Sequence, residues 1–299
     1  MVYPVLEALT PSYNSAATLP ETLASAWKDN RIPVLLVDDG STDGSAEDAE
    51  RHEGVRVLRQ RNSGPSVARN RAIMESRADF VLFLDSDDLL SPGYRDAFEA
   101  ALAANPQADV FVCGVQVVDE KGKPTYQLPA PTLKPTPFLS MLGHEAMSTN
   151  AIIVRRELFA RSGLFPPHLH HAEDWDLWLR LAAASDRWVR MDHTLAVYRL
   201  RGGSLSKNGP AMWRGIRQVA NAAARLPIGE AGERRVAVQR ALSSGASYVY
   251  YTAFAQVLRQ RASVSIGGAL REAAQLPLRF WPLVLSDFAS SALRRLRSH

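Results

Sequence analysis

A chain of 299 residues, 46% hydrophobic and 22% charged, can hold one large domain with an appendage, and this composition excludes disorder throughout. The single cysteine, Cys113, excludes an intramolecular disulfide and suits a reducing compartment; inside the apolar run Val110–Val118 it reads as a buried thiol. The net charge of +4 hides an asymmetry: from Arg201 onward 15 basic residues face 4 acidic ones, a net of +11, so the first 200 residues carry −7. An acidic front half suits cation binding, and a basic back half suits an anionic surface or substrate.

The opening Met1-Val2-Tyr3-Pro4 lacks the basic-then-apolar pattern of a signal peptide. No uncharged apolar segment approaches the roughly 18–20 residues of a membrane span, so the expected location is cytoplasmic.

Short apolar runs alternate with helical patterns through the first half, which predicts an α/β fold with a largely parallel sheet. Val5–Leu9 reads as a strand ending in the turn Thr10-Pro11-Ser12-Tyr13-Asn14. Thr18 and Glu21 read as a capping box opening a helix, with Pro20 in its first turn. Val34–Val37 is a buried-type strand running into Asp38-Asp39-Gly40-Ser41-Thr42-Asp43-Gly44, and Val55–Leu58 a third strand. Asn62-Ser63-Gly64-Pro65-Ser66 is a loop before a helix at Val67–Ser76. Phe80–Leu84 is a fourth strand running directly into Asp85-Ser86-Asp87-Asp88.

A helix near Tyr94–Ala104 precedes a long strand at Val110–Val118. Four prolines mark Pro129–Pro137 as loop. Helices are predicted over Arg156–Ser162 and Trp175–Ala184, and short strands at Trp188–Met191 and Leu195–Arg199. Beyond Ser206 the chain turns rich in Ala, Arg, Leu and Gln. The expected division is therefore an α/β domain over 1–206 and a helical appendage over 207–299.

Three polar clusters, at Tyr13, Asp38-Asp39 and Asp85-Ser86-Asp87-Asp88, each follow an apolar strand. In an open α/β sheet ligands collect beyond the carboxyl ends of the strands, so the three should share one edge. Three carboxylates within four residues repel one another unless a cation or donor groups compensate. Hard oxygens of this kind suit Mg2+ or Mn2+, which can bridge a protein to a diphosphate; a polar turn with an N-cap is the competing reading.

Asp38-Asp39 reads either as an Asp-rich turn or as acceptors for a nucleobase N–H or ribose hydroxyls. Tyr13 could stack on that base. Arg69 could reach a phosphate or base oxygen at the sheet edge, or stand as a surface arginine. In His171-Ala172-Glu173-Asp174-Trp175-Asp176 the acids suit the first turn of a helix; Asp174 or Glu173 could also act as general base toward an acceptor hydroxyl.

In order and spacing, these segments resemble glycosyltransferase family 2 with the GT-A fold. The motifs that carry the likeness are Pro11-Ser12-Tyr13-Asn14, Val37-Asp38-Asp39-Gly40-Ser41-Thr42-Asp43, Asn62-Ser63-Gly64 with Ala68-Arg69-Asn70, Leu84-Asp85-Ser86-Asp87-Asp88 and Glu173-Asp174-Trp175-Asp176-Leu177-Trp178. The resemblance implies a GT-A, Rossmann-like, mostly parallel sheet flanked by helices. It also implies an inverting transfer from a nucleotide-diphosphate sugar to a saccharide or lipid-linked acceptor, without a covalent intermediate, in cell-surface polysaccharide or glycoconjugate synthesis. By the same resemblance Asp39 meets the nucleotide base, Asp85 and Asp87 form the DxD pair for Mn2+ or Mg2+ and diphosphate, and Asp174 is the base. Pro11, Tyr13, Asp38, Arg69 and Ser86 fall on the donor side, Glu173 and Trp175 on the acceptor side. Two positions depart from the pattern: Ala72 stands where a glycine is usual, and Arg201 where many relatives carry histidine. Arg201 cannot ligate a metal but can neutralise diphosphate directly.

Leu276–Leu293, ending at Arg294-Arg295-Leu296-Arg297, is interrupted by Arg279 and Asp287 and should not span a bilayer. Two readings stand for 276–297: an amphipathic helix on the inner face of the plasma membrane, or a helix packed on the catalytic domain or on a second copy in a homodimer. Three other functions compete with transfer. A sugar-nucleotide-binding module without activity is disfavoured by the intact Asp85, Asp87 and Asp174. A nucleic-acid partner is not expected, because no zinc-ligand spacing or stacked-aromatic motif accompanies the basic region. A dinucleotide-dependent dehydrogenase lacks its Gly-x-Gly-x-x-Gly after the first strand.

Overall fold

A computed structural model of the chain describes residues 5–143, 147–201 and 209–259. They divide into two compact units: residues to 141 with those from 147–168 and 173–201, and a second unit of 142–143, 169–172 and the helices beyond 208.

The first unit is built on one mixed sheet. Its parallel half follows the apolar runs of the N-terminal sequence: β1 (Leu6–Ser12), β2 (Val34–Asp38), β3 (Val55–Arg59) and β4 (Phe80–Phe83), in the order β3-β2-β1-β4. β1 and β2 are buried along their whole length because helices cover both faces of such a sheet, which is why β2 reads as a continuous apolar run. The helices are α1 (Leu19–Asn30), the short α2 (Ser45–Ala49) and α3 (Pro65–Glu75).

Beyond β4 the sheet changes character. β5 (Leu89–Leu90) and helix α4 (Tyr94–Ala104) precede the long β6 (Val110–Val118), whose hairpin partner is β7 (Pro124–Leu128). After α5 (Pro137–Leu142), β8 (Ile152–Arg155) inserts antiparallel between β4 and β6. The short α6 (Phe159–Ser162) and α7 (Glu173–Ala184) lead to β9 (Trp188–Arg199), parallel to β6 and antiparallel to β5. The core behind this half is aromatic: Phe80, Phe98 and Phe111 meet edge to face, and Phe83 packs on Phe159, Phe165 and Trp178.

Several expectations are corrected. Thr10-Pro11-Ser12 belongs to β1 rather than to a turn: Pro11 is paired in register with Val37, and the strand turns only at Tyr13. The capping box does not form. The Thr18 hydroxyl lies 3.4 Å from the Ser15 carbonyl instead of capping α1, and the Glu21 carboxylate takes Arg199 Nη2 at 2.7 Å. The two short strands expected over 188–199 are one strand, bent where its register against β6 shifts around Gly114; there a Cβ would come within 2.9 Å of the Thr194 hydroxyl. Cys113 is buried in β6, as expected.

The second unit contains α8 (Gly209–Ala223) and α9 (Ala231–Arg259). They meet at Gly245, where a Cβ would stand 3.0 Å from Ile216. α8 also seats on the segment 169–172, since Gly215 leaves room for the His171 carbonyl. Among the described residues no helix is long and apolar enough to cross a membrane. The expected domain edge at residue 206 and the segment 276–297 lie outside the described residues.

Candidate active site

Because β1, β2 and β4 are adjacent and parallel, whatever follows each of them emerges on the same sheet edge. Tyr13 leaves β1 there with its side chain 54% exposed. Asn14, at φ 48°, turns the chain so that its N–H donates to Ser41 Oγ (2.9 Å) while its Oδ1 accepts from Thr42 N–H (2.9 Å). Asp43 joins the same seam by accepting from Ala16 N–H at 2.9 Å. The loops after β1 and β2 are thus stitched into one rim.

At the end of β2, Asp38 and Asp39 are both buried. Asp38 accepts from Ser41 N–H at 3.2 Å. Asp39 is committed more heavily: Oδ1 accepts from Gln60 Nε2 (2.8 Å) and Ser63 N–H (2.9 Å), and Oδ2 from Gly64 N–H (2.8 Å). A carboxylate has about four acceptor positions, so this clamp on the loop before α3 leaves one free for a ligand. Gly40, at φ 84°, lets the loop pass Asn62, whose backbone N a Cβ would meet at 3.1 Å.

The acids after β4 are held in unlike ways. Asp85 is clamped on both oxygens: Oδ1 accepts from Arg69 Nη2 at 2.6 Å and Oδ2 from the Thr149 hydroxyl at 3.2 Å. Ser86 contributes its carbonyl, which accepts from the Thr22 hydroxyl of α1 at 3.1 Å. Asp87 is the most open of the three, with Arg201 Nη1 lying 3.6 Å from its Oδ2. Burial and the neighbouring Asp85 push its carboxyl up, and Arg201 partly offsets this. Asp88 turns inward and accepts from Arg199 N–H at 3.0 Å. Burial, with Asp85 and Asp87 beside it, raises it well above the usual carboxylate range.

The fourth group comes from α7. Asp174, in its first turn, is part-buried and accepts from Trp175 N–H at 2.7 Å. Burial and the Glu173 carboxylate push Asp174 up to about 7, against lowering by Trp175 N–H and Arg69. Glu173 is joined to the same centre by Arg69, Nη1 to Oε1 at 3.3 Å.

Arg69 is not a surface arginine; it is 5% exposed. Burial works against its charge, yet Asp85 and Glu173 outweigh that and hold the guanidinium more firmly protonated than usual. Trp175, expected on the acceptor side, is 6% exposed, and its indole N–H donates to the Met141 carbonyl at 2.7 Å. Sequence reasoning missed Thr149, Gln60 and Phe165. They come from loops and a 3₁₀ turn, where no periodicity marks a functional side chain.

Among the described residues no group of three or more His, Cys, Asp or Glu forms a metal cage. The donor set nevertheless fits a divalent cation carried mainly by substrate. Mg2+-type sites use one or two carboxylates plus phosphate oxygens and water. Asp87 supplies an open carboxylate beside that of Asp85.

In an open α/β sheet, acids gathered beyond the carboxyl ends of the parallel strands mark the edge at which such folds bind ligands. The sequence profile of Glycosyl transferase family 2 matches residues 8–162, and the chain belongs to that family. It is 30% identical over 219 residues to EpsJ of Bacillus subtilis, an uncharacterized glycosyltransferase, covering 68% of this chain and 63% of EpsJ. It is 28% identical over 180 residues to the Staphylococcus aureus poly(ribitol-phosphate) beta-N-acetylglucosaminyltransferase TarS, covering 56% of this chain and 30% of TarS. The matches therefore span less than two thirds of the length of these two curated relatives.

The crystal structure of TarS 1-349 with UDP-GlcNAc superposes with TM-score 0.66 at 21% identity, over 94% of this chain and 84% of that one. The mannosyltransferase PcManGT from Pyrobaculum calidifontis, with GDP-Man and Mn2+, superposes with TM-score 0.61 at 19% identity, over 99% and 88%. Likeness at these identities establishes the shared GT-A fold.

Proposed function

We propose that the protein transfers a sugar, with inversion, from a nucleoside-diphosphate sugar to a hydroxyl of a saccharide or lipid-linked acceptor in cell-surface polymer synthesis. The observation that carries this reading is Asp174. Its carboxyl is held at about 7 by burial and Glu173, and the Glu173–Arg69–Asp85 chain links its helix to the sheet edge. A base works best when its proton affinity lies near the operating pH.

In this reading Tyr13 and Asp39 receive the nucleobase and ribose, with Pro11, Asp38 and Ser86 shaping the pocket through their backbone and loop contacts. As the acceptor oxygen attacks the anomeric carbon, its proton passes to an Asp174 carboxylate oxygen. The bond from that carbon to the diphosphate oxygen breaks on the opposite face, and the nucleoside diphosphate leaves with the electron pair. Glu173 keeps negative charge beside the oxocarbenium-like centre. Arg201, with Nη1 3.6 Å from Asp87 Oδ2, neutralises the leaving diphosphate in this reading. A Mg2+ or Mn2+ ion held by Asp87 and Asp85 would supply further neutralisation of that diphosphate when bound.

The reading is tested with UDP-, GDP- and dTDP-sugars, each with and without Mn2+, scored by thermal shift and by slow release of nucleoside diphosphate. Wild type should be stabilised by one nucleotide class and release it, whereas Asp174→Asn should bind and not release. Binding with equal release from both proteins would refute the base assignment. Binding with release from neither would favour a module that holds the donor without transferring it.

A further inference from the structure

The Ala68-Arg69-Asn70 stretch has a structural use that a donor contact would not require. On consecutive residues of α3, Asn70 and Arg69 both engage Phe165. The Asn70 side chain grips its backbone in both directions: Nδ2 donates to the Phe165 carbonyl and Oδ1 accepts from the Phe165 N–H, each at 2.8 Å. The Phe165 ring, wedged edge-on against Phe83 of β4 and Trp178 of α7, then lies under the guanidinium, whose carbon is 5.3 Å from its centroid. On that floor the guanidinium divides its fork between two elements, Nη2 to Asp85 after β4 at 2.6 Å and Nη1 to Glu173 of α7 at 3.3 Å. Its Nε is buried and has no acceptor among the described residues. Leaving one donor of a buried cation unpaired is costly, so the group is held by what its other two nitrogens bind.

We propose that Arg69, floored by Phe165 and Asn70, is a positioning residue that sets the spacing between the diphosphate-side carboxylate Asp85 and the base-bearing turn Glu173-Asp174, rather than a ligand of the donor. This rests on the proposed roles of Asp85 and Asp174. A planar fork fixes two carboxylates in distance and angle at once, which a lysine ammonium cannot do. Transfer needs the departing diphosphate and the deprotonated acceptor on opposite faces of one carbon, so an error of about 1 Å between the two carboxylates costs about 100-fold in rate. Asn70 touches neither carboxylate, yet on this account it acts on the reaction through Phe165.

The test separates positioning from donor binding. In Arg69→Lys and Asn70→Ala, the dissociation constants of UDP and GDP with Mn2+, measured calorimetrically, should stay within about 3-fold of wild type. The rate of nucleotide release from saturating UDP-GlcNAc or GDP-mannose should fall by about 30-fold or more. A weakening of nucleotide binding by tenfold or more in Arg69→Lys, with release at saturation unchanged, would overturn the inference and make Arg69 a donor contact. Unchanged release in Asn70→Ala would overturn the role given to Phe165.

A second measurement reads the same link without turnover, so it survives failure of the proposed activity. Asp85→Asn and Glu173→Gln should shift Tm non-additively, by about 2 °C or more, when Arg69 is present, and additively in an Arg69→Met background. Additive shifts in both backgrounds would mean that Arg69 does not couple the two sites.

Discussion

Replacing Asp174 by Asn should remove catalysis and at the same time stabilise the protein at high pH. In the folded chain, burial and the nearby Glu173 raise the Asp174 carboxyl to about 7, whereas in the unfolded chain it ionises near its ordinary value of about 3.9. A carboxyl raised in this way contributes stability that is fully present below the unfolded value and is lost as pH rises through the folded one. Between pH 4 and pH 8 the ionised native state should thus give up at most about 4 kcal/mol, since each pH unit of separation is worth about 1.4 kcal/mol. Relaxation around a part-buried group leaves roughly half of that, about 2 kcal/mol. Asn is neutral at every pH and keeps an oxygen for Trp175 N–H. Asp174→Asn should therefore melt about 4–8 °C above wild type at pH 8 and level with it at pH 4. Its rate of nucleotide release should fall by about 10²–10⁴-fold, the usual worth of a general base. Wild-type release should rise with pH through an inflection near 7, as the base loses its proton. Scanning calorimetry at the two pH values, with a pH–rate profile from 5 to 9, checks all three. A stability change of the same size at both pH values, or a flat wild-type profile, would refute the reasoning.

Asp87→Ala should keep Tm within about 2 °C of wild type and lose the Mn2+-dependent part of nucleotide affinity, measured by calorimetry with and without the metal; undiminished affinity in Mn2+ would remove Asp87 from the cation site. Asp39→Ala strips acceptors from the Ser63 and Gly64 N–H groups and from Gln60, and should cost about 2–4 kcal/mol in urea unfolding together with nucleotide affinity. Gly215→Ala would put a Cβ 2.5 Å from the His171 carbonyl oxygen; α8 must yield there, at about 1–3 kcal/mol, while the matching change at solvent-open Gly232 should be neutral or stabilising.

Much of the parallel half of the sheet was legible because its strands are buried on both faces and so appear as unbroken apolar runs: Val34–Asp38 and Phe80–Phe83 contain no interior polar residue. Once those strands are parallel neighbours, topology alone sends Tyr13, Asp39 and Asp85 to one edge. The strand β8 and the hairpin strand β7 were not legible: β8 is four residues between two 3₁₀ turns, and β7 is an exposed edge with no alternating apolar face. The capping box failed for a related reason. Local pattern placed Glu21 on its own helix end, but a long-range partner, Arg199, takes its carboxylate.

Composition and local order alone determined which residue types were available for the chemistry: carboxylates after apolar strands, an Ala-Arg-Asn stretch opening a helix, and an acidic first turn on α7. Only tertiary structure decided their states. Asp88 and Trp175, each next to a candidate site acid, are turned into the core, while Asp87 stays open. Arg69 is 104 residues from Glu173 in sequence yet binds it. Burial and charge at a side chain depend on which distant elements pack over it: the burial of Asp174 and the pull of Arg69 on it exist only after α3, β4 and α7 have been brought together, whereas its neighbour Glu173 acts locally.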